Sequence, residues 1–328
     1  METILVTGGA GFIGAYLVKR LVKLNYKVII VDTLLDVGAI SYVHPQAVFL
    51  KLDISDYKTY QILEKYNIDY VFHLAAQSAG EPSYDNPFFD SNVNAFGTLL
   101  LSKFCKENSK IKKIIYTSTV AVYGNANDGL LSEKSPIDPD SIYGVSKYSG
   151  ELYVRQTLKD SNVDYTIFRV FNTYGPGENL LYGKKGMVSI YLSYVWQGSP
   201  IDVKGSLDRY RDFTYIDDTV DALILSMHSK LSNKQTYNLS SGIKTTVGEL
   251  LEKIKEIFKL SKDYPVNVIE GTPGDSFGFH SDSTKIYNDL NWSPVTSLED
   301  GLRKYNSWIA ILENKKTLKN MHPFSNRF

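Results

Sequence analysis

The stretch that most constrains the chain is its first, Thr3-Ile4-Leu5-Val6-Thr7-Gly8-Gly9-Ala10-Gly11-Phe12-Ile13-Gly14. An apolar, β-branched run ends in glycines and passes into Phe12, Ile13, Ala15, Leu17, Val18, Leu21 and Val22, which recur at helical spacing. The order is strand, tight turn, helix. A phosphate at such a turn meets free N–H groups and the positive end of the helix dipole, and glycine lets the backbone approach it without a Cβ in the way. The glycines stand at 8, 11 and 14. A second strand over 27–31 ends at Asp32, where a carboxylate can accept from a ribose 2′-hydroxyl. A glycine triplet alone describes many turns; strand, helix and acid in register favour a dinucleotide-binding fold.

The rest of the chain gives that turn an ordinary globular setting. With 328 residues, 43% of them apolar, it can bury a large core as one big domain or two smaller ones. Its 36 basic and 36 acidic side chains cancel, so no global field favours nucleic acid or an anionic membrane, and any anion must be held by a local site. The single cysteine, Cys105, rules out an intrachain disulfide and a cysteine-based zinc site; within Leu99-Leu100-Leu101-Ser102-Lys103-Phe104 it reads as a small apolar helix residue. No metal site is expected. No apolar stretch reaches the roughly 20 residues of a membrane-spanning helix. The chain opens directly in strand sequence without a basic, apolar leader, so a cytoplasmic protein is expected.

Strands and helices alternate along the first half. Short strands are expected over 47–52, 69–74, 113–118 and 163–170, and helices over 57–66, 87–107 and 141–158. His73 lies inside an apolar strand with no partner at ligand spacing, which favours a satisfied core histidine. This alternation implies an α/β protein, a Rossmann-type doubly wound parallel sheet covered on both faces. Beyond Phe171 glycine and proline cluster and the helices shorten, as in a smaller C-terminal substrate-binding lobe. The expected division is a dinucleotide-binding domain over 1–171 with a return segment near 211–228, a lobe over 172–210 and 229–313, and a tail over 314–328.

Tyr143 and Lys147, four apart near a helix start, face the same way. An ammonium beside a phenol favours the phenolate and lowers a pKa of about 10 toward the range where tyrosine acts as a base. The chain has no other Tyr followed by Lys at that spacing, yet among 24 tyrosines a solvated helix face is the competing reading. Thr117-Ser118-Thr119 closes the strand one crossover earlier, at the same carboxyl edge as the glycine turn.

Together the glycine turn, Asp53-Ile54, His73-Leu74-Ala75-Ala76, Asn92-Val93, Thr117-Ser118-Thr119 with Tyr123-Gly124, Tyr143-x-x-x-Lys147, Arg169-Val170-Phe171-Asn172-x-Tyr174-Gly175-Pro176 and Arg211-Asp212-Phe213 resemble the extended short-chain dehydrogenase/reductases. Within them the chain is most similar to the nucleotide-sugar epimerases, and to UDP-sugar 4-epimerases above others. The resemblance implies NAD as cofactor, with Gly8, Gly11, Phe12, Ile13 and Gly14 at its pyrophosphate, Asp32 at the adenosine ribose and Asp53 and Ile54 at adenine. It further assigns Leu74, Ala75, Ala76, Asn92, Thr117, Tyr143 and Lys147 to the cofactor. Tyr143 becomes the catalytic base, with Thr119 and Lys147 as its catalytic partners. Thr119, Tyr143, Asn172, Val188, Arg211 and Asp275 fall to the substrate, a nucleoside-diphosphate sugar. Asp32 with no arginine after it agrees with NAD rather than NADP.

For Arg211 the competing reading is a surface ion pair with Asp212. Two departures from the family bear on the reaction. Val120 and Ala121 stand where the dehydratases carry an acidic pair, so loss of water is not expected. Thr272 stands where many 4-epimerases carry a second phosphate-binding arginine before Asp275, leaving Lys204 or Arg209 to substitute. The rival readings are an NAD(P)H-dependent reductase of a nucleotide-linked keto-sugar and a catalytically silent nucleotide-binding protein. The resemblance also implies a homodimer through helices near 88–107 and 143–158. Leu99, Leu100, Phe104, Leu152 and Val154 fit that contact or the core equally.

Overall fold

Near-continuous apolar strands bury both their faces in a parallel sheet covered by helices, and they form the middle of a seven-stranded sheet here. The strands are β1 (Thr3–Thr7), β2 (Lys27–Asp32), β3 (Val48–Lys51), β4 (Tyr70–His73), β5 (Lys113–Thr119), β6 (Asp164–Val170) and β7 (Gln235–Leu239). They lie in the order β7-β6-β5-β4-β1-β2-β3, every neighbouring pair parallel. The strand order reverses between β1 and β4, and that switch point opens a crevice at the carboxyl edge. The computed structural model describes residues 1–35, 43–125, 129–180, 186–271 and 276–314.

Alternation along each strand sends side chains to two cores. Ile4, Val6, Val28, Ile30 and Phe72 pack with the Phe12–Lys23 and Ile216–His228 helices on one face. Leu5, Ile29, Val31, Val71 and Ile114 pack with Leu101, Phe104, Val154 and Leu158 on the other. Cys105 is buried in this second core, as a small apolar helix residue.

The helices follow the expected pattern with one change. Asp56 caps Tyr57–Leu63 by accepting from Lys58 N at 2.9 Å, and Ser141 caps Ile142–Leu158 by accepting from Gly144 N at 3.0 Å. The single helix expected over 87–107 is instead Pro87–Ser91, a π-helical stretch Asn92–Gly97, and Thr98–Glu107. Such a wide turn inserts a residue and rotates the helix beyond it.

Beyond β6 a three-stranded sheet joins Lys244–Thr246, Tyr210–Tyr215 and Asn172–Tyr174, and Val266–Ile269 pairs with Ile201–Lys204. The return segment supplies the Ile216–His228 helix, tied to the first helix by Arg20, which reaches Asp221 at 2.6 Å and Asp217 at 3.4 Å. The chain then adds β7, a strand of the main sheet within the stretch expected to belong to the lobe. The expected tail, from 315 onward, lies outside the described residues.

The opening turn is packed backbone against backbone. A Cβ on Gly14 would lie 2.1 Å from the Gly8 carbonyl oxygen, and one on Gly8, whose φ is +72°, would lie 2.5 Å from Ala75 N. Neither neighbour can move without moving a sheet strand. Gly14→Ala should therefore lower stability by about 1–3 kcal/mol, as overpacked cores do. Gly80→Ala, with nothing within 4 Å of the added carbon, should not. Thermal denaturation of the two variants checks this; equal melting temperatures would mean that the turn is looser than its geometry.

Candidate active site

One cleft of about 1610 Å³ runs along the carboxyl edge of the sheet and under the lobe. Single small-molecule sites occupy roughly 300–1,000 Å³, so there is room here for two ligands end to end. Its floor begins at the glycine turn, where Gly8, Gly11, Phe12, Ile13 and Gly14 all line it. Gly11, the N-cap of the first helix, offers no side-chain cap, and the first turn carries no acidic residue. The first amides of that helix are left for an external acceptor, as a pyrophosphate requires.

Asp32 sits at the tip of β2 with one carboxylate oxygen on Ala10 N at 3.1 Å and the other on Leu34 N at 2.8 Å. Those contacts fix the carboxylate at the cleft wall and leave it lone pairs for a ribose. Asp53 is held by Ser55, whose N and Oγ lie 2.8 and 2.7 Å away, and Ile54 is buried beside it. Leu74, Ala75 and Ala76 line the middle of the cleft, with Leu74 N bonded to the Thr7 carbonyl at 3.0 Å. The donor set, the close glycine approach and the acid at the second strand together fit a dinucleotide.

Behind that floor a buried polar chain ties β1 to the helix beyond β4. Thr7 Oγ1 meets His73 Nδ1 at 2.8 Å, His73 Nε2 meets Thr98 Oγ1 at 2.9 Å, and Thr98 donates to the Asn94 carbonyl at 2.6 Å. Because the Thr98 hydroxyl spends its proton on Asn94, His73 donates through Nε2 and accepts at Nδ1, the neutral tautomer. Burial also holds its pKa well below the usual histidine value. His73 is thus a satisfied core residue, as its apolar setting predicted.

At the centre of the cleft stand Thr117, Thr119, Tyr143 and Lys147. Thr117 donates to the His73 carbonyl at 3.1 Å. Lys147 is 2% exposed, with Nζ 4.4 Å from the centre of the Tyr116 ring. Burial pushes this lysine down to about 7, against the pull of Asp90 and Glu151, whose charges favour the ammonium. Tyr143 does not show the expected lowering. Burial pushes its phenol up to about 12, a hydrogen bond with Thr119 draws it back, and the Asp90 charge adds to the rise. Desolvation of the phenolate outweighs the Thr119 hydrogen bond, so phenolate is scarce at neutral pH unless a positive charge is brought beside it.

The far end of the cleft is basic. Arg211 is 5% exposed, with its guanidinium 4.6 Å from the Phe279 ring centre and its donors on the Tyr210, Ser276 and Phe277 carbonyls at 2.8, 2.9 and 3.2 Å. Asp212 has its carboxylate turned to Ser241, Gly242 and Ser281. The described contacts therefore aim the adjacent pair into two separate environments. Arg209, also buried, donates to the Lys204 carbonyl at 2.6 Å and to the same Ser276 carbonyl at 3.5 Å. Lys204 lines the cleft nearby and pairs with Glu81 at 3.6 Å. Asn172 and Val188 line this end too, and apolar Val120 and Ala121 face the centre.

One expected site residue is not brought into the cleft. Asn92 is exposed and Val93 lines the wall instead, because the π-helical stretch turns Asn94, not Asn92, toward the cleft side. Asp275 and Thr272 lie outside the described residues. Conversely, Gln77, Asp90, Asn94 and Glu178 line or back the cleft although no sequence motif singles them out. All four nonetheless stand within two residues of a quoted motif: Gln77 follows Ala76, Asp90 and Asn94 flank Asn92, and Glu178 follows Pro176 by two.

Glu178 lines the cleft with a carboxylate oxygen 3.3 Å from Gly175 N and with Ser189 and Tyr305 beside it. Burial pushes it up to about 8, from an ordinary value of 4.5. The folded chain thus keeps a proton that the unfolded chain loses, and stability falls as pH rises from 4.5 through 8. The melting temperature of wild type should drop between pH 5 and pH 8.5 by more than that of Glu178→Gln; parallel curves would show that Glu178 is ionised throughout.

The comparisons with known proteins agree with this geometry. Residues 5–305 match the family described as GDP-mannose 4,6 dehydratase. A UDP-glucose 4-epimerase of Mycolicibacterium smegmatis is 30% identical over 309 residues, covering 92% of this chain and 96% of its own. A dTDP-4-dehydro-6-deoxyglucose reductase of Escherichia coli is 30% identical over 306 residues, covering 92% and 95%. The crystal structure of a UDP-glucose 4-epimerase of Thermotoga maritima with UDP-glucose superposes with a TM-score of 0.88 at 33% identity, covering 97% of this chain and 100% of that one. The chain accordingly belongs to the extended short-chain dehydrogenase/reductases, among the NAD-dependent sugar-nucleotide epimerases, dehydratases and reductases.

Proposed function

We propose that the chain is an NAD-dependent 4-epimerase of a nucleoside-diphosphate hexose, a UDP-hexose above others. One observation carries the reading. Thr119, Tyr143 and Lys147 sit midway along a single cleft that has a dinucleotide turn at one end and buried guanidiniums at the other. The names of the mycobacterial and Thermotoga relatives support the choice of nucleotide and reaction.

Arg211, with Arg209 beside it, holds the diphosphate, since planar forks pair two-pronged with phosphate oxygens. Asn172, Val188 and Asp275 complete the substrate end. NAD, held by the glycine turn and Asp32, supplies the hydride acceptor and a positive ring. With NAD bound, its positive ring would favour the Tyr143 phenolate, whose oxygen would take the proton of the sugar hydroxyl as the carbon gives up its hydride, leaving a 4-keto sugar. Thr119 keeps the phenol oxygen aimed at that hydroxyl, and Lys147 holds the nicotinamide ribose. The ketone turns about its diphosphate tether, and Tyr143 returns its proton on the other face as hydride comes back. Val120 and Ala121 offer no acid or base at the neighbouring carbon, so water is retained.

In this reading the main sheet serves the cofactor and the segments after Phe171 that lie outside it serve the sugar nucleotide. The same reading has the reaction run in the cytoplasm, with which a single cysteine that can form no intrachain disulfide is in keeping. A homodimer is proposed through the outer face of the Ile142–Leu158 helix, where Val145 and Leu152 are about half exposed, with the exposed Phe88 nearby. Of the other expected contacts, Leu100, Phe104 and Val154 are core residues. Sedimentation as a 37.0 kDa monomer would rule the dimer out.

The Escherichia coli relative favours one second reading, a reductase of a nucleotide-linked keto-sugar. Cofactor stoichiometry separates the two: an epimerase converts many equivalents of UDP-hexose per NAD, and a reductase consumes one NAD(P)H per turnover. A protein that binds NAD and converts no sugar nucleotide would be the silent binder. Tyr143→Phe should lower kcat at least about 100-fold, the usual scale of acid–base catalysis, with NAD affinity within a few-fold of wild type. Turnover close to wild type, measured by anion-exchange chromatography of the products, would remove Tyr143 from the base's role.

A further inference from the structure

The catalytic pair is held from behind by a carboxylate that does not line the cleft. Asp90 is wholly buried. It accepts from Ser146 Oγ, the residue before Lys147, and from Asn94 Nδ2 at 3.2 Å. Ser146 Oγ also lies 3.1 Å from the Tyr143 carbonyl, and 3.1 Å from Asn94 Nδ2. Asn94 in turn grips Gln77 at both backbone atoms, accepting from its N at 2.9 Å and donating to its carbonyl at 3.0 Å. Gln77 lines the cleft next to Ala76.

We propose that Asp90 is a positioning residue for this reaction: it locks the helix face bearing Tyr143 and Lys147 to the cofactor-side loop at Gln77 and supplies the counter-charge to Lys147. The inference rests on the function proposed above.

Three features of the fold converge on that role. The π-helical stretch Asn92–Gly97 rotates Asn94 inward, over Asp90 one turn earlier. Ser146 is placed by helical spacing on the inner face beside Lys147. A buried carboxylate costs several kcal/mol to desolvate, so one held by only two neutral donors is tolerated where a cation shares its environment. Lys147 is that cation. The other groups facing it are Glu151 one turn along its own helix, the Tyr116 ring from β5 and the neutral His73 from β4. Glu151 is already engaged by Arg169 through two bonds of 2.9 and 2.8 Å and by Ser118 at 2.7 Å. Asp90 is the larger of the two charges favouring the ammonium, against the burial that pushes it down.

The consequence is specific. Lys147 must be cationic to hold a ribose and favour the phenolate, so activity falls as pH rises through its titration. Removing the Asp90 charge moves that fall to lower pH. The test uses the NAD-loaded enzyme with a UDP-hexose that wild type epimerises; if wild type epimerises none, the function proposed above fails and Asp90 is not at issue. Given turnover, Asp90→Asn, nearly the same shape without the charge, should lower kcat about 10- to 100-fold, the range a misplaced catalytic group costs. Its alkaline limb should also shift down by about one pH unit, as loss of a nearby opposite charge does. A limb that superposes on wild type overturns the proposal, whatever the melting temperature does. Should Asp90→Asn not fold, Ser146→Ala decides: it keeps the charge and removes one bond, so kcat should fall with the alkaline limb in place. A kcat within twofold of wild type for Ser146→Ala would then overturn it.

Discussion

Everything in this molecule depends on two stretches of bare backbone lying against each other at the point where the sheet reverses its order. The turn after β1 and the exit of β4 approach so closely that a methyl group on Gly8 would lie 2.5 Å from Ala75 N. That closeness leaves the first helix's amides uncapped and pointed into the crevice. It also sets the level of the cleft floor, and hence the distance across which the β5 and Ile142–Leu158 side chains must reach. Thr7, whose hydroxyl meets His73 and whose carbonyl accepts from Leu74 N, carries the constraint from the turn into the polar chain behind it.

The second organising fact is that the ionisable groups of the site are buried. Burial pushes Tyr143 up, Lys147 down and Glu178 up, three shifts of one cause acting on groups of different charge type. Burial carries Lys147 and Glu178 toward neutrality and Tyr143 away from it. It also makes an added charge matter more, since Coulomb interactions strengthen as the dielectric falls. The cleft thus makes the reactivity of Tyr143 depend on which charges are brought to it.

Much of this was legible in the residues. Strand and helix periods, the glycine spacing and Asp32 sufficed for the sheet and the dinucleotide end, because each is a local pattern whose backbone consequence is local. The strand β7 was not legible: Gln235-Thr236-Tyr237-Asn238-Leu239 carries polar side chains whose partners lie elsewhere, Asn238 bonding the Tyr123 hydroxyl and Tyr237 bonding Asp289. Asn92 was assigned from the resemblance alone, and the π-helical stretch Asn92–Gly97 leaves it exposed with Asn94 buried instead. The lowered tyrosine failed for a different reason. Sequence shows which charges neighbour a phenol but not how much water is removed from it. Leu100, Phe104 and Val154 likewise look the same in sequence whether they face a core or a partner.

The central claim is that one hydride leaves the sugar and returns to the same carbon while Tyr143 carries the proton. A UDP-hexose deuterated at C4, incubated with the NAD-loaded enzyme in ordinary water, tests it most directly. The account predicts that the 4-epimer forms with its deuterium retained at C4 and with no reduced cofactor released. Loss of the label to solvent, or a stoichiometric yield of deuterated reduced cofactor, would contradict it.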